Sequence, residues 1–282
     1  MKNVLIVGLG LMGGSFALAL KEKGIYVRAY DVNPESLDYG VSHGFIDEKA
    51  EDVKKALKES DTLIYCASPF AFIPFLKEYK EDFPSSLFIT DIIGVKGRTV
   101  SEAEDILKGT DTVYISIHPM AGGENSGAAY ARKNLFKGIK VLAINTPSVK
   151  EEGKERVREL CSLLETDEPS FVSSGEHDSL IAYVSDLTHV LAVALVNAHP
   201  EEDISLAAGT SYNEMSRVGK INAELWTSLF LENKDKLIDA VKRFQSELYR
   251  IEEALADGDS LRLKELLRSS YGYKKELEEK KK

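Results

Sequence analysis

From residue 1 to about 174, short apolar runs rich in Val and Ile alternate with longer stretches whose apolar positions recur at helical spacing. That alternation predicts a mostly parallel sheet with helices on both faces. The predicted strands are 4–7, 26–30, 62–67, 87–90, 112–117, 140–144 and 171–173. Near Ser173-Ser174-Gly175 the pattern changes: strand signals end, and helical periodicity carries on through 180–198, 223–254 and 261–277. The division predicted is therefore a doubly wound α/β domain over 1–174 and an all-helical domain over 175–282. The apolar stretch 180–198 is interrupted by Ser185, Asp186, Thr188 and His189. Such residues are costly at bilayer depth, so the stretch is expected to be a buried helix and not a membrane span.

Composition narrows the function classes. The 282 residues carry 36 Lys and Arg against 46 Asp and Glu, a formal charge of −10. An acidic surface without a basic run repels polyphosphate, so no nucleic-acid partner is expected. Two cysteines about a hundred residues apart, Cys66 and Cys161, offer neither a disulfide framework nor a paired metal site. A reducing cytoplasm, no leader peptide and no metal are the expectations that follow.

In an open parallel sheet, ligands sit outside the carboxyl ends of the strands. Gly8-Leu9-Gly10-Leu11-Met12-Gly13 follows the first strand and opens a helix. Gly8 permits the tight turn, Gly10 lets a pyrophosphate approach, and Gly13 lets helix and strand pack closely. Asp31 ends the second strand, where a carboxylate accepts hydrogen bonds from the adenosine ribose. No arginine follows in Val32-Asn33 to neutralise a 2′-phosphate, which favours NAD over NADP. Ser68-Pro69 ends another strand and is expected to border the cofactor, as is Gly94. Asp91 is expected to cap the loop up to Lys96. His118-Pro119-Met120-Ala121-Gly122-Gly123-Glu124 follows a later strand, and its glycines allow a loop to pass close to a ligand. Imidazole is the side chain best suited to general-base work near neutral pH, so His118 is the first choice for proton abstraction. His43, His177 and His199 stand at loop-like or helix-end positions.

In the helical part, Asp186 and His189 lie three residues apart on one helix face. They form either a self-satisfied buried pair or part of a polar cavity shared with the first domain. Arg217 offers a planar donor fork suited to a carboxylate, or a surface ion pair with Glu214.

Together these residues resemble the prephenate dehydrogenase family over essentially the whole chain. The segments that carry the resemblance are GLGLMGGS from Gly8, HPMAGGENSG from His118, Asn134 to Gly138, and His177-Asp178. SDLTH from Ser185, MSRVG from Met215, and Leu225-Trp226 through Lys234 complete the set. The resemblance implies a homodimer formed by the helical domain and NAD-dependent oxidative decarboxylation of prephenate. It implies that His118 hydrogen-bonds the ring hydroxyl, that His189 and Arg217 line the substrate site with Gly123, Glu124 and Asp186, and that Arg217 binds a carboxylate. Four positions depart from the family pattern: Gly94 stands where a serine is frequent, Gly123 where a threonine is, and Asp186 and Thr188 where a histidine and a proline are. Ser116 is a candidate for orienting His118 in place of that serine, provided the strand points it toward the site. Three alternatives remain open. Arogenate is one, since Asp186 could pair with its ammonium. A non-catalytic NAD-binding sensor is another. The third, a β-hydroxyacid dehydrogenase, would ordinarily place a lysine in the run 181–189, which has none.

Overall fold

The computed structural model describes residues 1–123, 125–200 and 203–280. The chain divides into two compact units, Met1–Asp178 and Ser179–Lys282.

In the first unit a six-stranded sheet contains β1 (Asn3–Val7), β2 (Tyr26–Tyr30), β3 (Glu48–Lys49), β4 (Thr62–Tyr65), β5 (Phe88–Asp91) and β6 (Val113–Tyr114). Its order is β3-β2-β1-β4-β5-β6, and every neighbouring pair is parallel. This is the doubly wound order of nucleotide-binding folds, whose switch point lies between β1 and β4. Strand periodicity makes the two-faced core. Val4, Ile6, Ile64 and Phe88 enter one apolar cluster with α1 (Leu11–Glu22), α2 (Pro34–Ser42) and α6 (Glu151–Leu164). Leu5, Val7, Leu63, Tyr65 and Ile89 enter the opposite one with α3 (Val53–Lys58), α4 (Pro69–Tyr79) and α5 (Gly97–Leu107).

A second sheet joins β7 (Ile117–Pro119) antiparallel to β8 (Val141–Ile144), which pairs in parallel with β9 (Ser170–Val172). The single strand expected over 112–117 is thus two strands in two sheets. Ile115 N–H still donates to Ile89 in the large sheet, but Ser116 C=O accepts from Ile144 in the small one. The chain changes partners between these adjacent residues, and His118 pairs with Leu142 in the small sheet.

The second unit is helical. A run from Ser174 to Asn197 comprises α7 (Ser174–Ile181), a π-helical turn at Ala182–Asp186 and α8 (Leu187–Asn197). By length and composition this run could cross a membrane. The burial expected for 180–198 is found only in part: Ile181, Ala182, Leu187 and Ala192 are buried, whereas Leu180, Tyr183, Val184, Leu195 and Val196 are exposed. One side of α8 packs on Leu237 and Ala240, and its Ala192 and Val196 lie against the turn at Gly219. Then follow α9 (Thr210–Ser216), α10 (Ala223–Glu232), α11 (Lys234–Ala256) and α12 (Ser260–Glu279).

Candidate active site

The glycine turn performs the steric roles expected of it. Gly8 has φ of +94°, and a β-carbon there would lie 2.5 Å from Ala67 N in the turn after β4. A β-carbon on Gly13 would meet Gly8 O at 1.9 Å, so any side chain would push α1 off the strand. At Gly10 nothing lies within 4 Å of that position. The backbone there is open to a ligand. No side chain caps the start of α1 and no acidic residue occupies its first turn, so its N–H groups and partial positive charge suit a pyrophosphate. Asp31 accepts from Leu9 N–H at 2.6 Å and from Asn33 N–H at 2.8 Å, which holds its carboxylate against the turn. Each oxygen keeps a lone pair that can accept from a further donor. Ser68 and Pro69 start α4 directly after Ala67, and the Ser68 carbonyl is held by the Tyr65 hydroxyl at 3.0 Å. Gly94 is half-buried in the loop between β5 and α5.

Beside the start of α1 lies a cavity of about 220 Å³ lined by Leu11, Met12, Ile92, His118, Ala121 and Gly123, among others. It suits one ring and not a whole dinucleotide. Gly123 belongs at this wall, where a β-carbon would come 3.1 Å from Leu11. Glu124 lies outside the described residues.

Three polar residues behind His118 escaped the sequence reading of the site. Lys96 is fully buried, and its ammonium donates to Asp91 Oδ1 at 3.1 Å, Ser116 Oγ at 2.6 Å and Ile117 O at 2.7 Å. Three acceptors for three N–H groups make this burial tolerable. Desolvation still pushes the lysine pKa down, against the pull of Asp91. Asp91 does brace its loop, through Ile93 N–H at 2.9 Å, and it also accepts from the Tyr114 hydroxyl at 2.8 Å. Ser116 serves Lys96. The partner of His118 is His177, whose Nε2 lies 2.9 Å from His118 Nδ1. His177 Nδ1 in turn lies 2.8 Å from Asp178 Oδ1, and the Asp178 carboxylate accepts from the N–H groups of Lys96 and Gly97. His177, placed at an unremarked helix end by its sequence, is buried in α7 beside the small sheet's histidine. The only signal for it was the His177-Asp178 doublet. Burial first, then the Lys96 charge and His177, holds the His118 pKa well below its ordinary value of 6.5. His118 is therefore neutral near pH 7, as a general base must be.

In the helical unit, Asp186 ends the π-helical turn, is 2% exposed, and accepts from the Asn233 amide at 2.9 Å. His189 Nδ1 lies 2.9 Å from Ser185 O, and its ring stacks on Trp226 with centroids 3.6 Å apart. A carbonyl only accepts, so Nδ1 carries a hydrogen. Arg217 opens a short helical turn, Arg217–Gly219, and is exposed.

Known proteins match this chain along both of its parts. Residues 16–172 match the nucleotide-binding domain of prephenate dehydrogenase, and residues 173–269 match its dimerization domain. A prephenate dehydrogenase of Lactococcus lactis is 31% identical over 92% of this chain and 73% of its own length. One from Bacillus subtilis is 29% identical over 96% of this chain and 75% of its own. Among solved structures, prephenate dehydrogenase from Aquifex aeolicus, in complex with hydroxyphenyl propionate and NAD+, superposes with a TM-score of 0.89 at 30% identity, covering 98% of each chain. With both domains matched in order and a glycine turn shaped for a dinucleotide, the chain belongs to the prephenate dehydrogenase family of oxidoreductases.

Proposed function

We propose that the protein converts prephenate to 4-hydroxyphenylpyruvate, with NAD as oxidant and His118 as the group that takes the ring hydroxyl proton. The observation that carries this reading is a neutral imidazole on the wall of a ring-sized cavity that is also lined by Leu11 and Met12, at the end of the glycine turn. NAD, when bound, supplies the hydride acceptor. His118 accepts the C4 hydroxyl proton as the carbonyl-like C–O bond develops, CO₂ leaves C1, and the ring becomes aromatic, which supplies the driving force. The chain's remaining task is alignment. Arg217 and His189 are proposed as substrate contacts, Arg217 through a carboxylate. For Glu124 a role in binding rests on the motif alone.

Prephenate is favoured over arogenate by one observation. The Asp186 carboxylate, the group that could pair with arogenate's ammonium, is buried and already accepts from Asn233. Steady-state NADH formation with both substrates tests this. A higher kcat/KM for prephenate is expected, and a higher value for arogenate would reverse the assignment. A homodimer is the proposed assembly, because α11 and α12 leave Leu248, Leu255, Leu267 and Tyr271 more than half exposed.

A further inference from the structure

We infer that His177, backed by Asp178, is a positioning residue that fixes the tautomer of His118, leaving Nε2 as its proton-accepting atom. This rests on the reading of His118 as the base, and it follows from counting donors and acceptors along a row of three side chains. Asp178 receives the backbone N–H groups of Lys96 at 2.9 Å and Gly97 at 2.8 Å. Burial pushes its pKa up, but hydrogen bonds from His177 and these two N–H groups outweigh that and hold it below the ordinary carboxylate value. It is ionised and can only accept.

The bond between Asp178 Oδ1 and His177 Nδ1 therefore needs its hydrogen on Nδ1. His177 is fully buried, which disfavours its charged form, and the Lys96 cation adds to this while Asp178 and Asp91 oppose it. A neutral His177 with its hydrogen on Nδ1 has a lone pair on Nε2. The 2.9 Å contact from there to His118 Nδ1 then requires that His118 donate. A neutral His118 that donates from Nδ1 has its lone pair on Nε2. Reversing any one link would reverse the last, and His118 would present an N–H to the substrate where it needs an acceptor. Lys96 completes the device: burial is the main force that keeps both imidazoles neutral, and the lysine's ammonium, held by Asp91, Ser116 and Ile117, adds a fixed positive charge in the same direction. Gly94 offers no hydroxyl to orient the histidine, and this row holds it through Nδ1 instead.

The test joins spectroscopy with kinetics. Nitrogen NMR of the full chain with isotope-labelled histidines, assigned through His118→Asn and His177→Gln, reads each ring's tautomer near neutral pH. His118 is expected to carry its hydrogen on Nδ1. In Asp178→Asn the amide can donate to His177 Nδ1, inverting the row, so the His118 hydrogen should move to Nε2. Its kcat should fall about 10²-fold or more, the scale lost with a general base or its correct tautomer, while substrate KM and NAD affinity stay close to the parent's. His177→Gln retains a carbonyl able to accept from His118 and should keep more kcat than His177→Leu, which has none. A hydrogen on Nε2 of His118 in the parent, or parental kcat in a folded, NAD-binding Asp178→Asn, overturns the inference. Should Asp178→Asn not fold, the parent's spectrum and the Gln-to-Leu contrast still decide. If the parent forms no NADH from prephenate or arogenate, the functional reading fails, but the tautomer remains measured and the inference about the row stands or falls by it.

Discussion

The two units solve opposite burial problems. In residues 1–178 the polar groups near His118 are sealed inside, each with a stated partner: Lys96 with three acceptors, Asp91 with three donors, Asp178 with two backbone N–H groups and an imidazole. In residues 179–282 apolar groups stay outside. Along α11 the positions Leu237, Val241, Phe244, Leu248, Ile251 and Leu255 recur at intervals of four and three, a seam of the kind that two helices share. Leu237 and Val241 are covered by α8 and α10, whereas Leu248 and Leu255 are 54% and 62% exposed. A unit built for chemistry must close its core around charges before it can use them; a unit built for assembly keeps its apolar surface for another chain.

The sharpest way to break the first half of that contrast is His118→Asn. The change removes the proton acceptor and leaves the glycine turn untouched, so kcat should fall by about 10²- to 10⁴-fold with NAD affinity nearly unchanged. Stopped-flow or steady-state NADH formation measures it, and a fall below tenfold would place the base elsewhere. The same buried site makes a pH statement. Protonation inactivates the base, and its pKa is held below 6.5, so the acid limb of kcat/KM should lie below that value. Stability runs with the same sign. Unfolded imidazoles take up protons near pH 6.5 while His118 and His177 in the fold resist them, so stability should drop as pH falls below about 6.5.

Leu248→Glu attacks the other half. A carboxylate in the exposed part of the α11 seam should raise the dimer dissociation constant by about 30-fold or more, the effect of losing roughly 2 kcal/mol at an interface centre. Sedimentation across a concentration series reads this directly. A dimer as tight as the parent's would mean that the uncovered seam is not where copies meet. Helices of 23 and 20 residues with so little burial depend on packing for their stability, so the variant should also melt earlier.

Arg217→Ala asks whether an exposed cation in the helical unit serves the reaction. Loss of a charge-assisted hydrogen bond is worth about 1.5 to 3 kcal/mol, so KM for prephenate should rise roughly 10- to 100-fold with little change in kcat. An unchanged KM would remove Arg217 from the substrate's contacts.

What could be read from the sequence divides along the same line. β1 and β2 are plain in it because alternating side chains enter two cores, and the glycine turn is plain because each glycine answers a steric demand. β3 could not be read: Glu48 and Lys49 are polar, and they count as a strand only through the backbone of β2. The strand expected over 112–117 looked single because propensity says nothing of which sheet takes the backbone hydrogen bonds, and these change sheets between Ile115 N–H and Ser116 C=O. His118 was legible from its loop; His177, 59 positions away, was not, since only the fold brings their rings together. Lys96 marked only the end of the loop that Asp91 caps, because nothing in the sequence distinguishes a buried lysine from an exposed one. Helical periodicity announced α11, but periodicity alone cannot tell a seam covered by the same chain from one left for a partner.

The smallest expected effect concerns Asp31. Its carboxylate braces the glycine turn, through Leu9 N–H, and we propose that it also presents negative charge where a 2′-phosphate would sit. Asp31→Ala removes both functions and should weaken NAD binding while reducing its preference over NADP. Asp31→Asn separates them, because the amide oxygen can still accept from Leu9 while the charge is gone. Two like charges about 4 Å apart near a surface repel by about 1 to 4 kcal/mol, so even the lower bound changes selectivity by several-fold. The NAD:NADP ratio of kcat/KM should therefore fall by about tenfold in Asp31→Asn, with NAD affinity held closer to the parent's than in Asp31→Ala. If the ratio stays the same in both variants, Asp31 is a strut of the turn and the cofactor is chosen elsewhere.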